Sequence, residues 1–375
     1  MINKRMFFGG VAAVAISVSC FASQAFAVDP DSALKALGNK VLSVGPNKEE
    51  PTAASAVQLT GDELAKIKAM NATAALVFHY GGNDWSQAQL KALKAQFETM
   101  GIKVIAVTDA GFKPEKQVSD LETVLAQHPS IIVSIPTDAV ATAAAYKAAA
   151  EKGVKLVFMD NVPAGFVAGK DYVSSVSADN YGNGVAAAHL MAKALGSKGQ
   201  IGLVFHAADF FVTKQRYDGF KKTILDNYPD IKIVGEQGIG GPDFAGDAEK
   251  AAGAILTAHP GVKGIWSVWD VPAEGVMAAA RAAGRDTDLI IVTEDLGENV
   301  AIEMARGGMI KGIASQRPYD QGVTEALLAG YGLLGKKAPA YVALPAAPIE
   351  KSQLLNAWKE IYHTDATDKI KASMN

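Results

Sequence analysis

Short apolar runs alternate with longer helical patterns along most of this chain, and the alternation restricts the fold more than any other feature. The runs are rich in Val and Ile, and their unbroken apolarity is typical of strands covered on both faces, as in parallel sheets. Strands are predicted at 74–80, 103–107, 131–135, 155–159, 200–205, 232–234, 264–268, 289–293 and 310–313. Strands and helices in this order predict parallel sheets connected by right-handed crossovers.

Helices are predicted between the strands, where a polar residue precedes the helical pattern and Gly or Pro follows it. The clearest are 84–100, 138–152, 214–227 and 270–283. The strand and helix near the start of the pattern are similar to a second pair after residue 200, so the pattern restarts. A chain of 375 residues is also longer than one ordinary domain. We therefore predict the α/β class, with two doubly wound parallel-sheet lobes.

The N-terminus has the pattern of a secretory signal peptide. Lys4 and Arg5 precede an apolar run at 6–15, and the Ala-Phe-Ala sequence at 25–27 supplies the small residues of a cleavage site. We predict cleavage after this sequence and export to the periplasm. In the alternative, Cys20 becomes the acylated first residue of a lipoprotein, although Ser stands three residues earlier, where such sites usually have Leu.

Composition excludes several classes of protein and site. Lys+Arg 36 and Asp+Glu 39 leave a net charge of -3, so there is no basic excess to bind the phosphates of a nucleic acid. The single cysteine excludes a disulfide within the chain and any CxxC site. After the signal peptide, no run of 18 apolar residues without charges occurs, and we expect no stable membrane insertion.

No cofactor or metal site is predicted. The segment 179–184 is similar to the start of a calcium loop, but Leu190 stands where such a loop carries its bidentate Glu. The HExxH, GxSxG and Walker A motifs are absent from the sequence.

Polar and aromatic residues follow the predicted strands, at the sheet edge where open α/β folds bind their ligands. Carboxylates and amides form several hydrogen bonds to neighbouring hydroxyls, and aromatic rings cover C–H surfaces. Cationic side chains are few, which disfavours a phosphorylated ligand. These segments are 79–85, 159–163, 206–211, 242–244, 269–270, 294–295 and 315–318. They predict a compact polyhydroxylated ligand, such as a sugar or sugar alcohol.

Several short motifs follow one another in a definite order along the chain. They are Ile135-Pro136-Thr137-Asp138, Phe158-Met159-Asp160, Ser177-Ala178-Asp179-Asn180 with Gly182 and Gly184, Arg216 with Gly219-Phe220, Ala258-His259-Pro260, and Ile291-Val292 with Asp295. Through these motifs the chain from about 74 to 345 resembles the periplasmic sugar-binding proteins of ABC transporters, in the ribose-, galactose- and xylose-binding group. The resemblance implies the type I fold, in which two lobes joined by a hinge close on the ligand.

The resemblance also implies how the chain divides. The expected parts are a signal peptide at 1–27, an N-terminal extension at 28–70, an N-terminal lobe at 71–176 plus 318–346, and a C-terminal lobe at 177–317 plus 347–375. Three crossing strands, near 176–178, 314–317 and 345–349, would connect the lobes.

Ten residues form the predicted ligand site: Asn83, Trp85, Asp160, Asn161, Phe210, Lys214, Phe244, Trp269, Asp295 and Gln316. The resemblance implies that Asp160 binds hydroxyls and that Gln316 is an amide on the hinge side. Phe210 is included because it follows a predicted strand.

Three of these positions depart from the pattern of the ribose-binding proteins. Asn161 and Lys214 stand where those proteins have ligand-binding Arg, and Trp269 stands where they have Asn. The departures predict that two guanidinium forks are missing from the cleft and that an aromatic ring is added. Another pentose, a hexose, a tetrose or a polyol is therefore a better candidate than ribose.

Four further residues near the strand ends are interpreted as structural. Asp84 and Asp138 are expected to cap helices, and His79 and His206 to be structural histidines that close strands.

The predicted function is capture of a sugar or polyol by a non-catalytic monomer, which delivers it to the permease of an ABC transporter. One alternative is a sensor that presents a small sugar-like signal to a membrane receptor. Another is an exported carbohydrate hydrolase, which would need two carboxylates across a cleft. Glu294 and Asp295 are adjacent in sequence and are expected to point apart, which disfavours them as an acid/base pair.

Overall fold

The computed structural model describes residue 1 and residues 27–374 of the chain. Apart from its two end positions, the predicted signal peptide, with Lys4, Arg5 and the alternative lipidation site Cys20, lies outside the described residues.

Strands and helices alternate through this part of the chain. The strands are β1 Thr52–Ala53, β2 Thr73–Phe78, β3 Lys103–Asp109, β4 Ile131–Ser134, β5 Lys155–Met159, β6 Ser174–Ala178, β7 Gly199–His206, β8 Ile231–Ile239, β9 Val262–Ser267, β10 Ile290–Glu294, β11 Ile310–Ser315, β12 Tyr341–Leu344 and β13 Ala347–Ile349. The α-helices are α1 Pro30–Leu37, α2 Gly61–Ala69, α3 Asp84–Thr99, α4 Pro114–Leu125, α5 Ala143–Glu151, α6 Asn180–Leu195, α7 Phe211–Asn227, α8 Phe244–Ala258, α9 Asp270–Ala282, α10 Glu298–Ala305, α11 Pro318–Leu334, α12 Leu354–Tyr362 and α13 Asp368–Ser373.

Two separate sheets organise the chain into two lobes. The sheet of the first lobe has the strand order β1-β12-β6-β5-β4-β2-β3, and that of the second lobe has the order β13-β11-β10-β9-β7-β8. Neighbouring strands are parallel except β11 and β13, which are antiparallel. This is the two-lobed, doubly wound α/β fold that the sequence predicts.

The inner strands of the first lobe are buried on both faces, which explains their unbroken apolarity. In β4, Ile131 and Val133 pack into one hydrophobic cluster, and Ile132 packs into another on the opposite face. Successive side chains of a strand point to opposite faces, so a sheet covered twice needs apolar residues at every position.

The helix predicted at 138–152 begins later than expected, because Asp138 caps a turn instead of the helix. Its Oδ1 accepts hydrogen bonds from the backbone N–H groups of Val140 and Ala141, at 2.8 and 2.7 Å. Helix α5 therefore starts only at Ala143.

The expected N-terminal extension packs onto both lobes. Helix α1 packs against α6 of the second lobe, whereas β1 and α2 join the first lobe through β12 and α11. The segment 38–53, which we call the strap, therefore connects the lobes in addition to the crossings that follow β6, β11 and β12.

The strap is fastened at the first of these crossings. The carboxylate of Asp179, which caps α6, accepts hydrogen bonds from the backbone N–H groups of Leu42 and Ser43, both at 2.8 Å. The Ser43 hydroxyl donates to the same carboxylate at 2.7 Å and accepts from the Tyr181 N–H at 2.9 Å. Ser43 is buried by these contacts.

Among the helices of residues 27–374, none is both long enough and apolar enough to cross a membrane.

Candidate functional site

A cavity lies between the two lobes, at the carboxyl ends of their strands. Side chains from both lobes line it: His79, Tyr80, Asn83, Trp85, Phe112, Ile135 and Asp160 from the first, His206, Phe210, Val212, Thr213, Arg216, Phe244, Trp269, Val271 and Asp295 from the second, and Gln316 from a crossing. This is the edge at which open parallel sheets bind their ligands.

Two aspartates occupy equivalent positions in the two lobes. Asp160 follows β5 and donates its backbone N–H to Val176 of β6, whereas Asp295 follows β10 and donates its N–H to Ala314 of β11. Both have positive φ, 53° for Asp160 and 65° for Asp295, a conformation that Asp tolerates better than most residues. The fold therefore delivers one carboxylate to the cavity from each lobe.

Asp160 is buried, and none of the cationic side chains in residues 27–374 lies at ion-pair distance from it. Its Oδ1 accepts a hydrogen bond from the Ser177 hydroxyl at 2.5 Å, and its exposed fraction is 2%. Burial raises the pKa of Asp160 to about 6, although the hydrogen bond from Ser177 and the charge of Arg216 oppose the rise. A ligand that donates hydrogen bonds to this carboxylate would favour its ionised form.

Asp295 is held by a guanidinium fork. Arg216 of α7 binds it through Nη1 at 2.9 Å and Nη2 at 3.2 Å, and Gln316 Nε2 donates to its Oδ1 at 2.8 Å. Arg216 also donates to Asn180 Oδ1 and to the Val268 carbonyl, both at 3.0 Å. Planar, bidentate pairs of this kind fix the orientation of both side chains.

Neither Asn161 nor Lys214 brings a side chain to the cavity, and the guanidinium group that lines it belongs to Arg216. Lys214 lies two residues earlier on α7 and pairs with Asp218 at 2.8 Å, with its side chain 61% exposed.

Glu294 and Asp295 meet the same arginine. Glu294 Oε2 lies 3.2 Å from Arg216 Nε, and its side chain is fully buried. Burial raises the pKa of Glu294 well above its usual value, and the nearby guanidinium opposes the rise. The two carboxyl groups therefore flank one cation instead of facing each other across the cavity.

Both strand-end histidines line the cavity. Burial lowers the pKa of His79 to about 3, with a further contribution from His206, and burial lowers the pKa of His206 to about 4. The ring of His206 forms a hydrogen bond through Nδ1 with the Thr213 hydroxyl at 3.1 Å. Both rings are neutral at neutral pH and add apolar surface with few polar atoms.

Five aromatic side chains form a closed circuit across the cleft, which we call the aromatic cage. The circuit runs from His79 to Phe112, Phe244, His206, Phe210 and back to His79. The centroids of successive rings along it lie 4.7, 5.1, 5.6, 5.9 and 6.0 Å apart. The contacts between Phe112 and Phe244 and between Phe210 and His79 join the two lobes. Three more rings pack against the cage: Tyr80, Trp85 and Trp269.

Eight of the ten predicted site residues line the cavity: Asn83, Trp85, Asp160, Phe210, Phe244, Trp269, Asp295 and Gln316. The other two, Asn161 and Lys214, do not line it. Asn161 is buried behind the wall, where its Nδ2 donates to the Pro136 carbonyl at 3.1 Å. Asn83 also caps α3, since its Oδ1 accepts from the Ser86 N–H at 3.0 Å.

Sequence reasoning missed Phe112 and set the two histidines aside. Phe112 follows β3 by three residues and has positive φ, so it occupies the same kind of strand-end position as the predicted residues. Phe112 could therefore have been predicted from its place after a strand, as the other residues of the site were.

Asp84 reaches from one lobe to the other. It is the first residue of α3, and its Oδ2 accepts a hydrogen bond at 2.7 Å from the backbone N–H of Glu298, which begins α10 of the second lobe. The expectation that Asp84 caps its own helix is wrong, because Asn83 occupies the cap and the Asp84 carboxylate satisfies a free N–H of the opposite lobe.

In the part of the chain that the structure describes, no group of three or more His, Cys, Asp or Glu side chains is arranged to hold a metal ion.

Comparison with curated proteins finds relatives that are matched over most of their own length. The chain is 27% identical over 304 residues to a D-apiose import binding protein of Actinobacillus succinogenes, covering 81% of this chain and 92% of that one. It is 24% identical to a ribose import binding protein of Salmonella typhimurium, covering 78% of this chain and 95% of that one.

Solved structures with the same fold include a sugar transporter subunit from Rhodobacter sphaeroides, with a TM-score of 0.65 and 27% identity over 75% of this chain and 98% of that one. A solute-binding protein from Agrobacterium vitis with bound allitol has a TM-score of 0.67 and 24% identity, over 77% of this chain and 98% of that one.

The model of one family, described as periplasmic binding protein domain, matches residues 74–337, which include both sheets except β1, β12, β13 and the first residue of β2. The chain therefore belongs to the family of periplasmic binding protein domains.

Proposed function

We propose that this protein captures a sugar or sugar alcohol between its lobes and delivers it to the permease of an ABC transporter. The observation that supports the proposal is the pair of equivalent aspartates, Asp160 and Asp295, which reach one cavity from opposite lobes. Hydroxyl groups are the donors that such carboxylates bind, and aromatic walls suit the C–H faces between the hydroxyls.

The relatives support the same class of ligand and the same output. Their names describe import of D-apiose and of ribose, and the Rhodobacter sphaeroides structure is described as a subunit of a sugar transporter. We propose that this chain likewise acts as a monomer with a separate permease, after export to the periplasm and loss of residues 1–27.

We also propose that the chain does not catalyse a reaction on its ligand. Glu294 and Asp295 share Arg216, and Glu294 is fully buried beside it. A glycosidase needs two carboxyl groups on opposite sides of the scissile bond, both free to act on it. Asp160 and Asp295 reach the cavity from opposite lobes, but both oxygens of Asp295 are already held by Arg216 and Gln316.

The proposal is tested by isothermal titration calorimetry of residues 28–375 with tetritols, pentitols, hexitols, pentoses and hexoses. At least one ligand should bind, and Asp160→Ala should weaken that binding by 100-fold or more, because hydrogen bonds to a buried carboxylate are lost together, at about 1.5–3 kcal/mol each. Asp226→Ala is the matched control, since Asp226 pairs only with Lys222 on the surface, and it should keep wild-type affinity. Unchanged affinity in Asp160→Ala would remove this carboxylate from the site.

A further inference from the structure

We propose that the ligand carries its hydroxyl groups at one end and hydrocarbon at the other, as in a deoxy sugar or a deoxy polyol. This inference rests on the proposed function and narrows its ligand class. It follows from the uneven distribution of polar groups around the cavity.

The charged groups of the cavity lie beside the crossings between the lobes. Asp160 is bonded to Ser177 at the end of β6, and Arg216 is bonded to Asn180, which begins α6. Gln316 is itself part of the crossing that follows β11. The hinge side of the cavity is therefore its polar end.

Most hydrogen-bonding capacity at this polar end is already used within the protein. Both oxygens of Asp295 accept from Arg216, and Oδ1 accepts from Gln316 as well. Among the described residues, the hydrogen bond from Ser177 engages Oδ1 of Asp160, which leaves Oδ2 for a ligand, and the buried Gln316 Oε1 has no partner. These two oxygens can serve two or three hydroxyl groups, and a ligand with five or six would exceed that number.

The aromatic cage forms the other end of the cavity. Its phenylalanines Phe112, Phe210 and Phe244 offer no polar atom, and Ile135 and Val271 extend the apolar wall. The two histidines of the cage are neutral, and His206 Nδ1 is already bonded to Thr213, whereas His79 Nδ1 and the adjoining Trp85 Nε1 are buried without a partner among the described residues. A hydroxyl placed against the phenylalanine rings would lose its hydrogen bonds to water and gain none from those rings, so only one that reached His79 or Trp85 would be compensated.

A methyl or methylene group in the same place would gain by burial against the rings. An apolar pocket typically distinguishes a hydroxyl from a hydrocarbon group by about 10- to 100-fold. We therefore expect the deoxy member of a matched pair of ligands to bind at least tenfold more tightly than the member with the additional hydroxyl.

The test is calorimetry of the purified mature protein with matched pairs: glycerol and propane-1,2-diol, erythritol and butane-1,2,3-triol, ribose and 5-deoxyribose, mannose and rhamnose, galactose and fucose, each pair in the same configuration. The proposal requires that, in the pair that binds best, the deoxy member binds at least tenfold more tightly. Equal or tighter binding of the fully hydroxylated member overturns this inference and leaves the proposed function standing. Failure of every member to bind overturns both.

A pair of variants tests the assignment of the apolar end to the aromatic cage. Trp269→Phe keeps an apolar ring against Phe244, whose centroid lies 4.9 Å from that of Trp269, and should preserve the preference for the deoxy ligand. Trp269→Asn adds an amide beside the cage and should reduce the preference to threefold or less, with folding of both variants checked by thermal melting. An undiminished preference in folded Trp269→Asn would contradict the assignment.

Discussion

The two equivalent aspartates differ in what surrounds them, and this difference divides their roles. Asp295 is fixed by Arg216 and Gln316, whereas Asp160 has a single hydrogen bond from Ser177. A carboxylate that is already satisfied mainly positions its neighbours, and one with a free oxygen can bind a ligand directly. The repeated backbone geometry thus supplies two sites of different chemistry.

The buried histidines make the protein sensitive to acid. The pKa values of His79 and His206 are lowered in the folded state to about 3 and 4, from an unfolded value of 6.5. The unfolded chain therefore binds more protons below pH 6.5, and the free energy of unfolding falls as the pH is lowered from 6.5 towards 4, by up to about 1.4 kcal/mol per pH unit for each histidine. Asp160 acts in the opposite direction between pH 3.8 and about 6, because its pKa is raised in the folded state, and so do Asp270, Glu294 and Glu325, since burial raises the pKa of each well above its usual value.

We expect His206→Gln to reduce the loss of unfolding free energy between pH 7 and 4.5 by about 2 kcal/mol, since one buried neutral imidazole is removed. Urea denaturation at a series of pH values measures this loss. The control His128→Asn, at an exposed histidine, should keep the wild-type curve. A curve for His206→Gln parallel to that of the wild type would show that His206 does not contribute to the acid sensitivity.

Sequence reasoning located residues at strand ends better than residues on helices. Asp160 and Asp295 directly follow apolar strands, so the end of the strand fixes the position of each. Lys214 and Arg216 are two residues apart on α7 and therefore project in different directions, and the motif does not indicate which of them faces the cleft. The structure turns Arg216 inwards and leaves Lys214 in solvent.

At the scale of elements, the starts of two helices meet across the cleft. Asp84 at the start of α3 accepts from the Glu298 N–H at the start of α10. The first N–H groups of a helix have no partner within the helix, and its N-terminus attracts negative charge. This contact exists only while the lobes are closed together, so it stabilises the closed arrangement relative to an open one.

We expect Asp84→Ala to weaken ligand binding by about tenfold, because a hydrogen bond to a charged group contributes about 1.5–3 kcal/mol and closure accompanies binding. Calorimetry gives the affinity, and small-angle X-ray scattering should show a larger radius of gyration for the unliganded variant. Asp138→Ala is the control, since Asp138 bonds only within its own lobe, and it should lower the melting temperature without changing affinity. Wild-type affinity and dimensions in Asp84→Ala would show that the contact does not influence closure.

Helices and strands could be predicted from the residues within and beside them. Contacts between the lobes could not, because they join residues that are distant in sequence. Asn83 and Asp84 both suit the start of a helix, and the sequence does not say which one caps it. The role of Asp84 depends on α10, which is distant in sequence. The cage contact between Phe112 and Phe244 likewise depends on the relative placement of two lobes.

At the scale of the whole molecule, the strap connects the lobes on the side of the crossings. Ser43 holds it there through its bonds to Asp179 and Tyr181. An extension at 28–70 is predicted from the sequence, but its role is not. Its helices α1 and α2 are short, and the elements that they pack against lie in different lobes.

We expect Ser43→Ala to lower the free energy of unfolding by about 2 kcal/mol, because it removes a donor to a buried carboxylate and leaves the Tyr181 N–H without its acceptor. Chemical denaturation measures the change. Ser55→Ala, at an exposed serine of the same extension, should change stability by less than about 0.5 kcal/mol. Equal stability of the two variants would mean that the strap is not held at Ser43.

The pairing of β1 with β12 also affects the order in which the molecule can be assembled. Thr52 pairs with Val342, which lies near the opposite end of the chain, and Leu42 and Ser43 need the crossing at Asp179. Contacts between residues distant in sequence form slowly, because a long loop must close before they stabilise anything. The segment of the described chain that is synthesised first is therefore among the last to reach its native partners, and its docking marks the completion of folding.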